Sequence, residues 1–398
     1  MPPSVPPSVP GPGDGVRFAV IGNPRNRRVE MFTEAARSAG LPAPRVLPWH
    51  DVLCDGTEFH RGETVRIDSP GEDDEVEWLL RGTSDPTRVE GTGRWYARFT
   101  ESVRGIGAAA GAAGAALLDD PAELAVLFDK RLCHGVLDGA GVPVPPSPTS
   151  GPTAPPVRDW EEVRTTLGSS GLRRAFVKLA HGSSASGVLA VETAGPGRVR
   201  ATTSVELTED GRLFNSLRVR RYGTEREVAA IVDALAPDGL HIEHWLPKAS
   251  QDKRAADLRV VVVGGRATHA VVRTSRSPMT NLHLGGVRGD LAAARAAAEA
   301  AGVAWSTVLG TAERAAARFP GTLCVGVDLL PTTGWRRFAV GEVNAFGDLL
   351  PRLTGLPGSG AEGLDTYAAQ IAAVVRTRAD GIRAHRNDPE EHPRDATG

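Results

Sequence analysis

The chain has 398 residues, of which 46 are lysine or arginine and 48 are aspartate or glutamate, a formal net charge of -2 at pH 7. This balance argues against a general nucleic-acid binder, which needs a basic excess to neutralise phosphates. The three cysteines, Cys54, Cys133 and Cys324, are too few and too scattered for a disulfide framework or a thiolate zinc site, which favours a reducing, cytoplasmic location. No apolar run approaches the roughly 18 residues that cross a bilayer, so no membrane association is expected.

The hydrophobic residues, 41% of the chain, are rich in alanine and poor in aromatics. This composition favours an α/β class of fold, and the length predicts two or three packed subdomains. Residues 1–15 lack the basic start and apolar run of a secretory signal, and they are predicted to form a disordered leader.

Residues 16–120 are predicted to form a small, doubly wound α/β domain. An apolar strand at 16–23 is followed by an amphipathic helix at about 28–39, and the segments RVLPW and VRIDSP predict further strands. The turn GNPRN lacks the G-x-G-x-x-G spacing of a dinucleotide-binding turn, so it gives little support to NAD binding.

Residues 121–205 are predicted to form a second subdomain. It opens with an Asp-Pro helix start at 120–121, and Lys130 begins the helical stretch KRLCHGVL. The proline-rich connector at 142–156 predicts a domain junction. Strands resume at RAFVKLA and GVLAVET, with the small, polar loop HGSSASG between them.

Residues 206–380 are predicted to form a third subdomain, followed by a loose tail at 381–398. Its strands include IEHWL and a hairpin that turns at Gly264 and Gly265. Alanine-rich helices are predicted at 290–319, and a final amphipathic helix at about 363–378. Between these helices, TLCVGVDLL and RRFAVGEVNA predict two strands joined by PTTGW.

The strongest candidate site consists of Asp328, in GVDLL, with Glu342 and Asn344, in GEVNA. Residues two apart on a strand face the same side, so Glu342 and Asn344 project together, and Asp328 can approach them from the paired strand. Two carboxylates and an amide oxygen suit Mg²⁺. The alternative is a pair of solvent-exposed acids near a turn.

Lys178 stands in the otherwise apolar strand AFVKLA, where an ammonium group is costly unless it meets an anion such as phosphate. The next loop offers backbone N–H groups and the hydroxyls of Ser183, Ser184 and Ser186 as a cover for a polyphosphate. An ordinary hairpin with a solvated lysine is the alternative for Lys178, and a surface position is the alternative for Lys130.

Two arginines on neighbouring strands, Arg259 and Arg273, indicate bound anions in a cleft, or else a salt bridge to Asp257. The histidines lack metal-binding spacing. No serine-hydrolase elbow, H-E-x-x-H helix or P-loop is present.

The order of these motifs, from Lys130 to EVN at 342–344, resembles the ATP-grasp superfamily, and within it most closely the ligases that add glutamate to the C-terminus of a ribosomal protein. The similarity spans about 119–378. It implies an ATP-grasp fold, in which two lobes clasp ATP, preceded by a Rossmann-like pre-ATP-grasp domain.

The resemblance also implies roles for individual residues. Those that match ATP-contacting positions are Lys130, Lys178, Ser183, Ser184, Ser186, Glu243, His244, Trp245 and Leu246. Those that match catalytic positions facing the transferred phosphate and the substrate are Arg259, Arg273 and Asn281. The magnesium ligands correspond to Asp328, Glu342 and Asn344, with Mn²⁺ as an alternative ion.

Three departures from the family pattern concern substrate contacts. Lys248 stands where the ligases place an acid on the ribose hydroxyls, and Leu284 replaces the arginine of N-L-H-R-G-G. After the EVNA motif, FGDLLP replaces the usual turn of small residues and glycine. Ribose binding and acceptor choice are therefore expected to differ.

The implied activity is that of an ADP-forming carbon-nitrogen ligase, which activates a small-molecule or peptide carboxylate as an acyl phosphate and joins it to an amine. The alternatives are an ATP-grasp peptide macrocyclase, a kinase and a non-enzymatic nucleotide-binding regulator. The sequence carries no signal for the oligomeric state.

Overall fold

Three β-sheets organise the described part of the chain. The computed structural model describes residues 15–83, 85, 87–183, 185–195, 197–347, 350 and 352–387, with side chains described to residue 379. One sheet is parallel and four-stranded, one is antiparallel and five-stranded, and one has six strands.

The first sheet is parallel, with the order β2-β1-β3-β4. Its strands are β1 (Phe18–Ile21), β2 (Arg45–Leu47), β3 (Thr64–Ile67) and β4 (Ala116–Leu117). The helices of this region are α1 (Arg27–Ser38), α2 (Trp49–Asp55), α3 (Asp74–Arg81) and α4 (Thr92–Ala113).

Helices cover both faces of this sheet, which confirms the predicted doubly wound domain. Helix α1 starts where the Asn26 side chain accepts a hydrogen bond from the backbone N–H of Arg28. Its buried Phe32 packs on one face of the sheet, and burial of such a ring stabilises the fold by roughly 2 kcal/mol. The same face is also covered by Tyr367 of the C-terminal helix, a long-range contact that the local pattern did not predict.

The second region contains an antiparallel sheet with the order β8-β7-β6-β5-β9. Its strands are β5 (Arg174–Leu179), β6 (Leu189–Thr193), β7 (Val199–Leu207), β8 (Leu213–Tyr222) and β9 (Leu240–His244). Its helices are α5 (Pro121–Leu127), α6 (Lys130–Gly139), α7 (Trp160–Ser169) and α8 (Glu225–Leu235), and a 3₁₀ turn follows at Ala236–Asp238.

Two sequence expectations change in this region. The predicted boundary at 205/206 falls inside β7, and the region continues to His244 because β8 and β9 pair with β7 and β5. The helical stretch from Pro121 also divides in two. Asp129 caps the second helix by accepting hydrogen bonds from the next backbone N–H groups, so α6 begins at Lys130 as predicted.

The third region contains a six-stranded sheet with the order β13-β12-β11-β14-β15, and β10 pairs with β11. Its strands are β10 (Ser250–Gln251), β11 (Arg254–Val263), β12 (Arg266–Ser275), β13 (Val287–Arg288), β14 (Cys324–Pro331) and β15 (Phe338–Ala345). Its helices are α9 (Leu291–Ala300), α10 (Trp305–Ala316) and α11 (Thr366–Asn387), with 3₁₀ turns at Leu282–Leu284 and Thr333–Trp335.

Successive side chains along β11 point to opposite sides of the sheet, so one face is apolar and the other carries charged residues. Leu258 and Val260 point towards the core with α10, whereas Asp257 and Arg259 point to the opposite side. The hairpin predicted at Gly264 and Gly265 joins β11 to β12.

Helix α11 extends to Asn387, beyond the end predicted near Arg378. Residues 381–387 of the predicted loose tail are therefore helical, whereas residues 1–14 of the predicted leader and 388–398 of the tail lie outside the described residues, so the predictions for them stay predictions. Within the described ranges, every helix is too short or too polar to cross a membrane.

Candidate active site

A cleft, here called the central cleft, lies between the five-stranded and six-stranded sheets. Both sheets contribute charged side chains to it. The charged and amide residues that line it are Lys130, Lys178, Glu243, Lys248, Asp257, Arg273, Asn281, Asp328 and Glu342.

Asp328 and Glu342 are brought together by strand pairing. They lie opposite each other in the antiparallel register of β14 and β15, and Asn344 lies opposite Gly326. The Asn344 side-chain amide donates a hydrogen bond to the Gly326 carbonyl at 3.3 Å. The expected alignment of three oxygen-bearing side chains on one face of two paired strands is therefore present.

A bulge next to Glu342 allows its side chain to face the cleft. The register of β14 and β15 shifts after Asp328, at Gly341. A β-carbon at Gly341 would lie 2.9 Å from the Leu330 side chain, so a larger residue would collide there. The bulge lets Val340 and Val343 both reach the apolar core while Glu342 points away from it.

Two arginines hold the Asp328 carboxylate. Arg259 Nε donates to Asp328 Oδ1 at 2.5 Å, and Arg273 Nη2 lies 2.9 Å from the same oxygen. Burial alone would raise the pKa of Asp328, but the two guanidinium groups outweigh it and hold the pKa well below its ordinary value. Asp328 is therefore ionised at neutral pH.

Glu342 is held by Lys130, the first residue of helix α6. Lys130 Nζ lies 2.6 Å from Glu342 Oε1 and also donates to the Gly182 carbonyl at 2.6 Å. One ammonium group thus connects the first turn of α6, the loop after β5 and the end of β15. The surface alternative for Lys130 does not hold, because its side chain is only 15% exposed.

Lys178 forms a buried ion pair with Glu243. Their side-chain atoms Nζ and Oε1 are 2.5 Å apart, and the two residues lie on the adjacent strands β5 and β9. Burial works against both charges, but the attraction within the pair lowers the pKa of Glu243 to about 2 and raises that of Lys178. Lys178 is therefore a charged group inside the cleft and not a solvated surface lysine.

A second cluster of charges, centred on Asp257, adjoins these residues. Asp257 Oδ1 accepts a hydrogen bond from Arg273 Nε at 2.8 Å, and Lys248 Nζ lies 3.4 Å from Oδ2. Thr280 Oγ1 donates to the same carboxylate and accepts from Lys248 at 3.1 Å. The predicted alternative, a salt bridge between Arg273 and Asp257, is therefore present. Arg273 also bonds Asp328, so it connects the two carboxylates.

The apolar wall of the central cleft was not predicted from the sequence. It consists of Phe176, Val188, Met279 and Leu330. Phe176 precedes Lys178 by two residues on β5, so strand periodicity was a signal that could have found it. Met279 lies in the segment after β12, and nothing local indicated its contact with Phe176.

Sequence comparison identifies no relative, since no family model and no curated protein matches the chain. Solved structures do match. The D-cycloserine synthetase DcsG aligns over 91% of this chain and 99% of its own, with 16% identity and a TM-score of 0.54. The ATP-grasp ligase PsnB, solved with its minimal precursor, aligns over 91% and 98%, with 16% identity and a TM-score of 0.51. The chain has the ATP-grasp fold.

This finding confirms the predicted fold class, an α/β ATP-grasp fold preceded by a Rossmann-like domain. The narrower likeness to ligases that add glutamate to a ribosomal protein stays a prediction. The roles assigned to individual residues also stay predictions, although the fold brings most of those residues to one cleft.

The interlobe segment of this ATP-grasp fold, Glu243 to Leu246, lies only partly in the central cleft. Glu243 lines the cleft, and the other three residues do not. The backbone N–H groups of His244 and Trp245 donate to Pro146 and Arg174 at 2.8 and 3.1 Å. Trp245 stacks under the Arg174 guanidinium, 3.8 Å from the ring centroid.

A larger cleft, here called the outer cleft, opens between the Rossmann-like domain and the ATP-grasp lobes. The loop residues Ser183 and Ser186 line it, together with Arg259, Asn281 and Asn344. From the Rossmann-like domain it receives Asn26, Arg28, Ser69, Gly71, Glu72, Glu77, Arg81 and Arg88. Ser184 lies outside the described residues.

The residues present fit a magnesium ion that is shared with a phosphate. Within the described ranges, no three His, Cys, Asp or Glu side chains form a metal-binding group by themselves. Asp328, Glu342 and Asn344 instead supply two carboxylates and an amide oxygen. Magnesium takes one or two carboxylates and completes its coordination with water and phosphate oxygens, so this set is suited to it.

Proposed function

We propose that the chain is an ATP-dependent, ADP-forming carbon-nitrogen ligase that activates a carboxylate as an acyl phosphate. One observation carries the proposal. In an ATP-grasp fold, the paired carboxylates of Asp328 and Glu342 face the central cleft together with Lys130, Lys178 and Arg273. This arrangement combines oxygen ligands for a cation with donors for several phosphate oxygens.

Lys130 and Lys178 are proposed to bind the phosphates of ATP. Each has a carboxylate partner in the cleft, so each ammonium group is already in place before an anion arrives. Bound magnesium, held by Asp328, Glu342 and Asn344, would neutralise charge on the transferred phosphoryl group. The polar loop that carries Ser183 and Ser186 is proposed to cover the phosphates and exclude water from the acyl phosphate.

Arg259 and Arg273 are proposed to stabilise the negative charge that develops on the carbonyl oxygen when the amine attacks and a tetrahedral intermediate forms. Both line the outer cleft and both are held by Asp328, so their guanidinium groups are oriented before the reaction. Asn281 lines both clefts and is proposed to contact the substrate. Gly326 supports this arrangement, because a β-carbon there would lie 3.2 Å from the Arg259 side chain.

The outer cleft is the proposed binding place for the carboxylate and the amine, which belong to the class of amino acids or peptides. A macrocyclase acting on a peptide would use the same ATP site and differ in its product. A kinase would release a phosphorylated product without joining two molecules. A cytoplasmic location is part of the proposal.

The test is an ADP-release screen with Mg²⁺ and ATP against amino acids, small peptides and carboxylates, followed by mass measurement of any product. Release of ADP that requires an acceptor, with a product mass equal to the condensed pair, supports the ligase. A phosphorylated product would favour the kinase. The proposal is overturned if the folded wild-type chain fails to bind ADP in calorimetry with Mg²⁺.

A further inference from the structure

Two buried polar side chains, His241 and Thr149, adjoin the Lys178–Glu243 pair. His241, two residues before Glu243 on β9, is 1% exposed, and Thr149, from the proline-rich connector, is 2% exposed. His241 Nε2 is 3.6 Å from Glu243 Oε2, and His241 Nδ1 is 3.2 Å from Thr149 Oγ1. The proposed chemistry assigns no task to either residue.

The hydrogen bonds around Thr149 determine which ring nitrogen of His241 carries the proton. Thr149 Oγ1 accepts a hydrogen bond from the Ile242 backbone N–H at 2.7 Å. The Ile242 carbonyl is already bonded by Ser147 Oγ at 2.6 Å, whereas Thr149 Oγ1 lies 3.4 Å from it. Of the acceptors within reach of the Thr149 hydroxyl, His241 Nδ1 at 3.2 Å is nearer than the Ile242 carbonyl or Ser147 Oγ, both at 3.4 Å, which favours donation to Nδ1.

A neutral His241 ring that accepts at Nδ1 must carry its hydrogen on Nε2, which faces Glu243. Burial lowers the pKa of His241 below its ordinary value, so the ring is neutral at pH 7. Each oxygen of the Glu243 carboxylate then has its own partner. Oε1 lies 2.5 Å from Lys178 Nζ, and Oε2 lies 3.6 Å from His241 Nε2, a polar contact just beyond hydrogen-bond distance.

We propose that His241, oriented by Thr149, is a positioning residue that fixes the Glu243 carboxylate and, through it, the Lys178 ammonium group that binds nucleotide phosphate. This inference rests on the proposed function, which gives Lys178 that task. Its physical basis is that a buried carboxylate with only one partner can rotate about its last torsion. The ammonium group would then lose its fixed place in the cleft.

The proposal is tested by the affinity for ADP in the presence of Mg²⁺, measured by calorimetry alongside the midpoint of thermal unfolding. His241→Leu removes the ring nitrogen that faces Glu243, and we expect the dissociation constant to rise about 3-fold, less than for the loss of a direct hydrogen bond to a charged group. His241→Gln places an amide N–H where Nε2 stands, so it is expected to recover most of the affinity. Thr149→Val is expected to weaken binding in the same direction as His241→Leu.

His134→Leu is the matched control. The His134 ring lies 5.3 Å from that of His241 and is buried, but its two nitrogens bond to Ser150 and to the Pro145 carbonyl. We expect His134→Leu to lower the unfolding midpoint without changing the affinity for ADP. Equal weakening by His134→Leu would overturn the proposal, because general packing would then explain the effect.

Two further outcomes separate this inference from the proposed function. If the wild-type chain binds ADP and a folded His241→Leu variant binds it equally well, the positioning role is overturned and the ligase proposal is not. If the folded wild-type chain does not bind ADP, the proposed function fails and this inference fails with it.

Discussion

Asp328 and Glu342 lie opposite each other on β14 and β15, yet cations from different parts of the fold hold their carboxylates. Asp328 is bound by two arginines of its own sheet, whereas Glu342 is bound by Lys130 of helix α6. Each of these two proposed magnesium ligands is thus paired with a cation of the cleft. When a Mg²⁺–nucleotide complex binds, the carboxylates would contact the magnesium ion and the cationic side chains would contact phosphate oxygens.

Replacement of Glu342 by alanine tests the proposed metal site. The change removes one carboxylate ligand and leaves Lys130 without its partner, so we expect ADP release to fall by at least about 100-fold. The dependence of nucleotide binding on Mg²⁺ should weaken as well. Glu299→Ala is the control, since Glu299 lies on α9 and pairs only with the exposed Arg295. Near-normal turnover in Glu342→Ala would exclude this residue as a ligand.

Arg273→Lys separates catalysis from nucleotide binding. Arg273 bonds Asp257 through Nε and Asp328 through Nη2, a fork that a single ammonium group cannot reproduce. We expect turnover to fall about 100-fold. The affinity for ADP, which lacks the transferred phosphate, should stay close to that of the wild type. Arg266→Lys, at the exposed start of the same strand, should change neither quantity, and a parallel loss of ADP affinity in Arg273→Lys would contradict the assigned role.

Lys178→Met tests the buried pair with Glu243. The change leaves a carboxylate buried without its cation, so the free energy of unfolding should fall by about 3 kcal/mol. Adding Glu243→Leu removes that unpaired charge and should restore most of the stability. Binding of ADP should remain weak in both variants, because the proposed phosphate contact is missing from each. Denaturant unfolding and calorimetry measure the two effects separately, and full recovery of ADP binding in the double variant would refute the role of Lys178.

Asp119, which does not line the central cleft, makes the stability of the fold depend on pH. Burial raises the pKa of Asp119 from 3.8 to about 7, although Arg66 opposes the shift. The folded state therefore holds this proton more tightly than the unfolded chain. The resulting stability is fully present below pH 3.8 and is lost as the pH rises through about 7.

We expect Asp119→Asn to be more stable than the wild type at pH 8 by roughly 2 to 4 kcal/mol, since the amide carries no charge to bury. Its carbonyl can still accept the hydrogen bond from the Ile67 N–H. The advantage should disappear near pH 4 in urea unfolding experiments. Asp55→Asn, at an exposed position, is the control, and a stability difference that does not vary with pH would refute the proposed cause.

Local patterns predicted much of the fold and of the candidate site. The opening strand and helix, the hairpin at Gly264 and the pairing of the strands that carry Asp328 and Glu342 all depend on short-range periodicity and turn residues. Such features need only neighbouring residues, so they can be read along the chain.

Contacts between distant segments could not be derived in this way. Tyr367 covers one face of the first sheet, and Met279 packs near Phe176. Both contacts depend on how whole regions pack together. Lys248 was interpreted only as a departure from the family, whereas its ammonium group bonds Asp257 and Thr280. The partner of a buried charge is set by tertiary structure, which no single stretch of sequence encodes.

The proline-rich connector touches both sheets that border the central cleft. The Pro143 carbonyl accepts a hydrogen bond from the N–H of Val340 on β15, and the Pro146 carbonyl accepts one from the N–H of His244 on β9. Pro143, Pro145 and Pro146 restrict the backbone torsions between these two bonds, so the connector is expected to act as a stiff spacer between the edges of the two sheets.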